Sequence, residues 1–249
     1  NHAWNEVIKL VNIPSRLRAY SGGKFLVIDG LIHFNNEPLP KVLSARIMDF
    51  INNDLDCLPL IKFWDNLRQN PSEDSKQDLF AFLEHNNIPI TADGCFIGYK
   101  RVDHNYMSKH VGIWTKNGKK WVWDKNGRYD HTPGKRVEMP RDKVDPNREN
   151  TCSTGLHVAA FRYADVSYGD GKLVEVKVHP KDVVTVPPDY NQEKMRTCGY
   201  SIIRDCSKVY EKPLYEHDES FEATKGQKAS DVYKDDGKAV TTAKKSSQR

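Results

Sequence analysis

The sequence predicts an α+β fold in which a β-hairpin and a helical segment precede a mostly antiparallel sheet. Three observations carry this. Apolar residues recur at helical spacing between Val42 and Leu83, the spacing changes to two after Pro89, and strands then follow without helices alternating between them.

The elements can be justified in order. Trp4, Val7, Ile8 and Val11 give a short helical period that Pro14 interrupts. Phe25–Ile28 and Leu31–Phe34 flank Asp29-Gly30, a strong hairpin signal, and Pro38 and Pro40 close that unit. Val42, Ile47, Phe50 and Ile51 form one apolar stripe. Pro59 starts a second helix, in which Leu60, Ile61, Phe63, Trp64 and Leu67 crowd one face. After Asn70-Pro71, Ser72 is the N-cap of a third helix that carries Leu79, Phe80, Phe82 and Leu83 and ends near Asn86-Asn87. These stripes are read as core, without chemistry.

Asp93-Gly94 is a turn, and Cys95–Val102 reads as an alternating strand. Ile113–Trp123 is a second hairpin with Asn117-Gly118 at its tip. Leu156–Val158, Leu173–Val178, Val183–Val186 and Tyr200–Ile203 complete the sheet, while Gly169-Asp170-Gly171 and His179–Asp182 read as turns. From Pro213 apolar residues are few, an acidic patch precedes a basic terminus, and the segment reads as a disordered tail. The organisation expected is therefore 1–88 hairpin and helices, 89–212 an α+β region, and 213–249 a flexible polar tail.

Composition narrows the function classes. The 249 residues are 38% hydrophobic and 29% charged. The longest apolar stretch, Leu58–Trp64, is far short of the roughly 20 residues a membrane-spanning helix needs. Asn1–Leu10 carries Glu6 and Lys9 and offers no signal-peptide core. Five widely spaced cysteines without a CxxC pair argue against a disulfide framework and for a reducing cytosol. No phosphate loop, dinucleotide fingerprint, HExxH, EF-hand or GxSxG motif occurs, so no cofactor is implied.

Two groups of residues carry candidate chemistry. The first joins Cys152, Gly155 and His157 to His179, Arg196 and Cys198. Cysteine and histidine are zinc-ligand types, and a thiolate with an imidazole is also a nucleophile–base pair. A fourth zinc ligand is not evident at characteristic spacing, with His179 and Cys206 the remaining candidates, and no metal is assigned. A ligand or anion pocket and a purely structural core are the other readings of the same residues. The second group is the basic hairpin, where Lys116, Lys119 and Lys120 interleave with Trp114, Trp121 and Trp123. Between Lys100 and Glu149, thirteen Lys and Arg face seven Asp and Glu, a local excess of six in a chain of net charge +4. Such a surface suits phosphate contact with base stacking, or a protein partner, or cross-strand pairing of its own aromatics. Alternation puts Trp121 and Trp123 on one face and Val122 on the other, and that face needs a cover. A protein partner or the domain itself is the preferred one.

Several longer motifs carry a resemblance. "LFAFLEHNNIPITADGCFIGYKRV" (79–102), "HTPGKRVEMPRDKV", "TCSTGLHVAAFRYA", "VEVKVHPKDVV" and "DYNQEKMRTCGYSI" follow one another between Leu58 and Asp205. Together they resemble the carboxy-terminal region of the rIIB family of T-even bacteriophages. The matching positions include Cys152, Gly155, Leu156, His157, His179, Pro180, Asp182, Met195, Arg196 and Cys198. The resemblance implies a phage protein acting inside the infected bacterium with a larger rIIA partner at the inner membrane, against prophage-mediated exclusion and on lysis timing. It also implies peripheral membrane association, and the leading expectation is a non-catalytic interaction protein with a phage or host partner, or self-assembly. Lys109–Gly127 departs from the pattern as an insertion, and the family's helix-turn-helix-like segment is not matched. A virion decoration protein and a nucleotide- or nucleic-acid-binding protein are the alternatives.

Overall fold

The computed structural model describes residues 22–53, 55–86, 88–167, 169–188 and 193–206, together with 15, 17 and 18. The expected helix at Trp4–Val11 and the expected tail from Pro213 lie outside these residues.

Strands β1 (Phe25–Ile28) and β2 (Leu31–Phe34) form the expected hairpin. Asp29 and Gly30 take φ of 51° and 76°, the mirror-image turn whose twist matches that of the strands. A second pair, Asn35-Asn36, takes φ of 50° and 70° and turns the chain into β3 (Glu37–Pro38). Three helices follow. In α1 (Lys41–Asn52) the buried residues are Leu43, Ser44, Ile47, Phe50 and Ile51. Helix α2 (Leu58–Arg68) has Pro59 in its first turn, where the missing N–H costs nothing, and buries Leu60, Ile61, Phe63 and Leu67. Helix α3 (Glu73–His85) is capped as expected, the Ser72 hydroxyl accepting the Ser75 N–H at 3.2 Å.

The remaining strands are β4 (Phe96–Val102), β5 (Ile113–Asn117), β6 (Lys120–Asp124), β7 (Arg136–Glu138), β8 (Leu156–Ala159), β9 (Lys172–Val178), β10 (Val183–Thr185), β11 (Lys194–Thr197) and β12 (Gly199–Asp205), with the short helix α4 (Phe161–Val166) after β8. Seven of them form one sheet in the order β10-β11-β8-β4-β9-β12-β7, paired antiparallel throughout. Only Cys198 separates β11 from β12, yet three strands lie between them. Four strand spacings would put them roughly 19 Å apart in a flat sheet, more than one linking residue can span. The sheet therefore curls. The Cys198 backbone closes the curl, donating to Asp182 O at 2.8 Å and accepting from Met139 N at 2.9 Å.

Helices and sheet share one apolar core that includes Leu43, Phe63 and Phe82 from the helices and Phe96, Val176 and Met195 from the strands. Buried Asn70 pins the two layers, donating to Pro180 O at 2.9 Å and Val183 O at 2.8 Å. Helix α4 covers the other face of β4 with a second cluster around Ile97 and Tyr99. For this reason β4 does not alternate as expected: Phe96 to Tyr99 are all buried because both faces are covered.

Hairpin β5–β6 stands apart as a two-stranded sheet. Its tip lies one residue later than expected. Asn117 pairs with Lys120, so Gly118-Lys119 make the turn, with Gly118 at φ 59° in the first central position. The faces are as expected: Trp114 opposes Trp123 and Lys116 opposes Trp121, while Thr115 opposes Val122.

Candidate functional site

A cavity of about 590 Å³ opens between the concave sheet and the segment that carries the hairpin. Strands β4 and β8 supply its floor through Tyr99, Lys100, Leu156 and His157. These strands share a single residue pair, Tyr99 with Ala159, and approach closely there. A Cβ on Gly98 would stand 2.2 Å from Val158 Cγ1, so glycine is what lets the strands meet. The loop Thr151–Gly155 forms one wall, and residues 108–112 with Trp114 and Trp123 form the mouth. Tyr129, His131 and Tyr200 close the far side.

Hydrogen bonds fix this far wall. His131 is fully buried and its ring spans two partners, Tyr129 O at 3.1 Å from Nδ1 and the Tyr200 hydroxyl at 2.9 Å from Nε2. A carbonyl only accepts, so Nδ1 carries the proton and Nε2 accepts from Tyr200. The Tyr129 hydroxyl in turn accepts the Trp114 N–H at 2.9 Å, tying the hairpin to the wall. Trp114 and Trp123 have ring centroids 5.5 Å apart, and Lys116 Nζ stands 4.9 Å from the Trp121 ring centre.

The electrostatics are one-sided. The described lining residues include Lys100, Lys194, His131 and His157 and no aspartate or glutamate. Lys100 Nζ donates to His157 O at 3.0 Å, and burial brings its pKa down to about 8. Burial, and after it Lys100, Arg196 and Lys194, lower His157 to about 3. Burial and then Lys100 do the same to His131, also to about 3. Both imidazoles are neutral at physiological pH, because a charge there would lose hydration and face a lysine.

The structure divides the first candidate group. Cys152, Gly155 and His157 line the cavity. Arg196 does not: fully buried, it donates through Nε to Asp145 O at 3.0 Å and through its two terminal nitrogens to Asn147 O and Asn150 O, each at 2.5 Å. It organises the loop before Cys152. Gly155 leaves it room, since a Cβ there would lie 3.1 Å from Arg196 Cβ. His179 caps the 180–182 turn, its Nδ1 accepting the Lys181 N–H at 3.2 Å. Cys198 Sγ lies 3.8 Å from Asp182 Oδ1, and burial followed by Asp182 raises its pKa. Those two belong to the seam of the curl. No two of the five cysteines are joined in a disulfide. Among the described residues no group of three or more His, Cys, Asp or Glu is placed to hold a metal ion.

In the second group, Trp114 and Trp123 reach the cavity mouth, so part of the hairpin belongs to the same site. Lys119 and Lys120 are exposed near its tip. Sequence reasoning missed Lys100, His131 and Tyr200. For Lys100 there was a signal, a lysine inside the apolar run Cys95–Val102.

Comparison with known proteins bears on this architecture. A family model described as bacteriophage T4 protein rIIB matches residues 16–237. The chain is 34% identical over 206 residues to protein rIIB of Enterobacteria phage T4, covering 82% of this chain and 61% of that protein. The match thus spans about three fifths of the relative's length. No solved structure matches the chain.

Proposed function

The chain belongs to the bacteriophage T4 rIIB family, and from that premise we propose that it is a non-catalytic interaction protein of the infected cell whose β5–β6 hairpin is the docking surface for a protein partner. The observation that carries this reading is the hairpin's exposure. Among the described residues it pairs with no strand of the large sheet; Trp123 on one face is 50% exposed and Val122 on the other 48%, with Lys119 and Lys120 exposed near the tip. Apolar surface rimmed by cations fits a partner that offers apolar contacts within an acidic rim. Among the described residues no helix is long and apolar enough to cross a membrane. The finer reading follows the family: action with a larger rIIA-type partner against prophage-mediated exclusion, with an effect on lysis timing.

The test uses the full chain, tagged, in phage-infected cells. The double substitution Trp121→Ala, Trp123→Ala is expected to abolish co-purification with the rIIA-type partner and to cut plating on a prophage-carrying host, with plating on a prophage-free host unchanged. Single-stranded DNA and RNA are titrated alongside at low and physiological salt. Micromolar binding that weakens steeply with salt and is lost in the double variant would replace the protein partner with a nucleic acid. Recovery of the chain from purified particles would replace the cellular role with a virion one.

A further inference from the structure

Beyond the docking surface, we infer that the cavity beneath the hairpin is a binding site for a small organic anion with a flat ring, of the nucleoside monophosphate class. The site is closed enough to select and large enough to admit such a molecule. Its volume of about 590 Å³ lies within the roughly 300–1,000 Å³ typical of small-molecule pockets.

The anion is inferred from Lys100. Its ammonium sits on the cavity floor and gives one hydrogen bond to a neutral acceptor, His157 O at 3.0 Å. Among the described residues no carboxylate forms an ion pair with it, and burial alone accounts for its depressed basicity. An ammonium has three donors, so two remain for something in the cavity. Lys100 is half-buried, and an ammonium drawn partly out of water without a counter-charge carries a desolvation cost that a ligand supplying the charge would offset. The surroundings exclude the opposite choice. With Lys194 and two neutral imidazoles on the walls and no aspartate or glutamate among the described lining residues, a cationic ligand would meet like charge and no counter-charge. The Asp103 and Asp165 carboxylates point elsewhere, paired with Arg128 and Arg101 respectively.

The flat ring is inferred from the mouth and side wall. Trp123 is 50% exposed and lies with Trp114 at the opening, while Tyr129 lines the far side. Aromatic faces over a cationic floor bind a ring through stacking and its phosphate or carboxylate through Lys100. His131 and His157, held neutral, offer hydrogen bonds without adding charge.

The test is a titration of the purified full chain, followed by tryptophan fluorescence and calorimetry, with nucleoside monophosphates, the corresponding nucleosides, inorganic phosphate and aromatic carboxylates. At least one monophosphate is expected to saturate the site at least tenfold more tightly than its nucleoside and than inorganic phosphate. Aromatic carboxylates separate a carboxylate requirement from a phosphate one. Lys100→Met removes the charge and keeps an apolar stem, and its thermal unfolding reports whether the fold is intact. It should abolish the preference for monophosphate over nucleoside, while Trp123→Ala weakens both alike. Absence of saturable binding by every anion, or an anion preference that survives in Lys100→Met, would overturn the inference. Neither result bears on partner docking, which is read by co-purification.

Discussion

The buried imidazole of His131 and the hydroxyl of Tyr200 lie 2.9 Å apart and join the loop after the hairpin to strand β12 across 69 residues of sequence. Both side chains are sealed from solvent, so the Tyr200 hydroxyl and Nε2 of His131 depend on each other for a polar partner. Tyr200→Phe leaves Nε2 of His131 without its donor and should cost about 1–3 kcal/mol in chemical denaturation. His131→Phe should cost a similar amount. The double variant should lose less than the sum, because removing both partners leaves no orphan.

The same histidine sets a pH dependence. Its pKa falls from 6.5 to about 3 on folding. Between those values the unfolded chain takes up a proton that the folded chain refuses. Stability is therefore full above the unfolded value and lost as pH falls through that window, at up to about 1.4 kcal/mol per pH unit. Denaturation midpoints measured across mildly acidic pH should show this slope, and His131→Asn should flatten it. His157, lowered to about 3 by burial and by Lys100, adds in the same direction.

Close approach of β4 and β8 rests on Gly98. Gly98→Ala places a methyl within 2.2 Å of Val158 Cγ1, and a loss of about 1–3 kcal/mol is expected from overpacking. Val158→Ala in the same chain should restore part of it. Additive losses in the double-variant cycle would show that the strands are held apart by something else.

Arg196 is a structural cation. Arg196→Met removes three charge-assisted bonds to the carbonyls of Asp145, Asn147 and Asn150. The expected cost is at least about 1.5–3 kcal/mol, the value of one bond to a charged group. Amide hydrogen exchange should accelerate first in residues 145–155, leaving β4 and β9 protected.

Glu175 is wholly buried on β9, with its carboxylate 2.8 Å from Arg204 of β12. Burial raises its pKa and Arg204 opposes that rise. Arg204→Met strands the acid and should cost about 3–5 kcal/mol, whereas Glu175→Leu with Arg204→Met should recover most of the loss. Urea denaturation of the three chains decides this.

Local chemistry made much of the first half legible. Asp29-Gly30 specified its turn through positive φ, Pro59 and Ser72 marked helix starts, and Ile47, Phe50 and Ile51 of the first stripe and Leu60, Ile61, Phe63 and Leu67 of the second faced inward as their spacing requires, the burial of Val42 lying outside the described residues. Such signals are complete within a few residues, so sequence carries them. The one-residue shift at Gly118-Lys119 shows their limit, because Asn-Gly and Gly-Lys both satisfy a two-residue turn and only strand register chooses. The sheet order was beyond reach. That β11 and β12 are consecutive in sequence but four strand positions apart follows from curling around a shared core, a property of the whole chain. The site divided on the same ground. Cys152 and His157 line the cavity, whereas Arg196 and Cys198, whose residue types suggest chemistry equally, serve the loop and the seam. Lys100 and His131 meet at one cavity only because a curled sheet half-buries the first and bonds the second to Tyr200. Burial and distance are decided between segments far apart in the chain, and it is these that separate a binding side chain from a structural one.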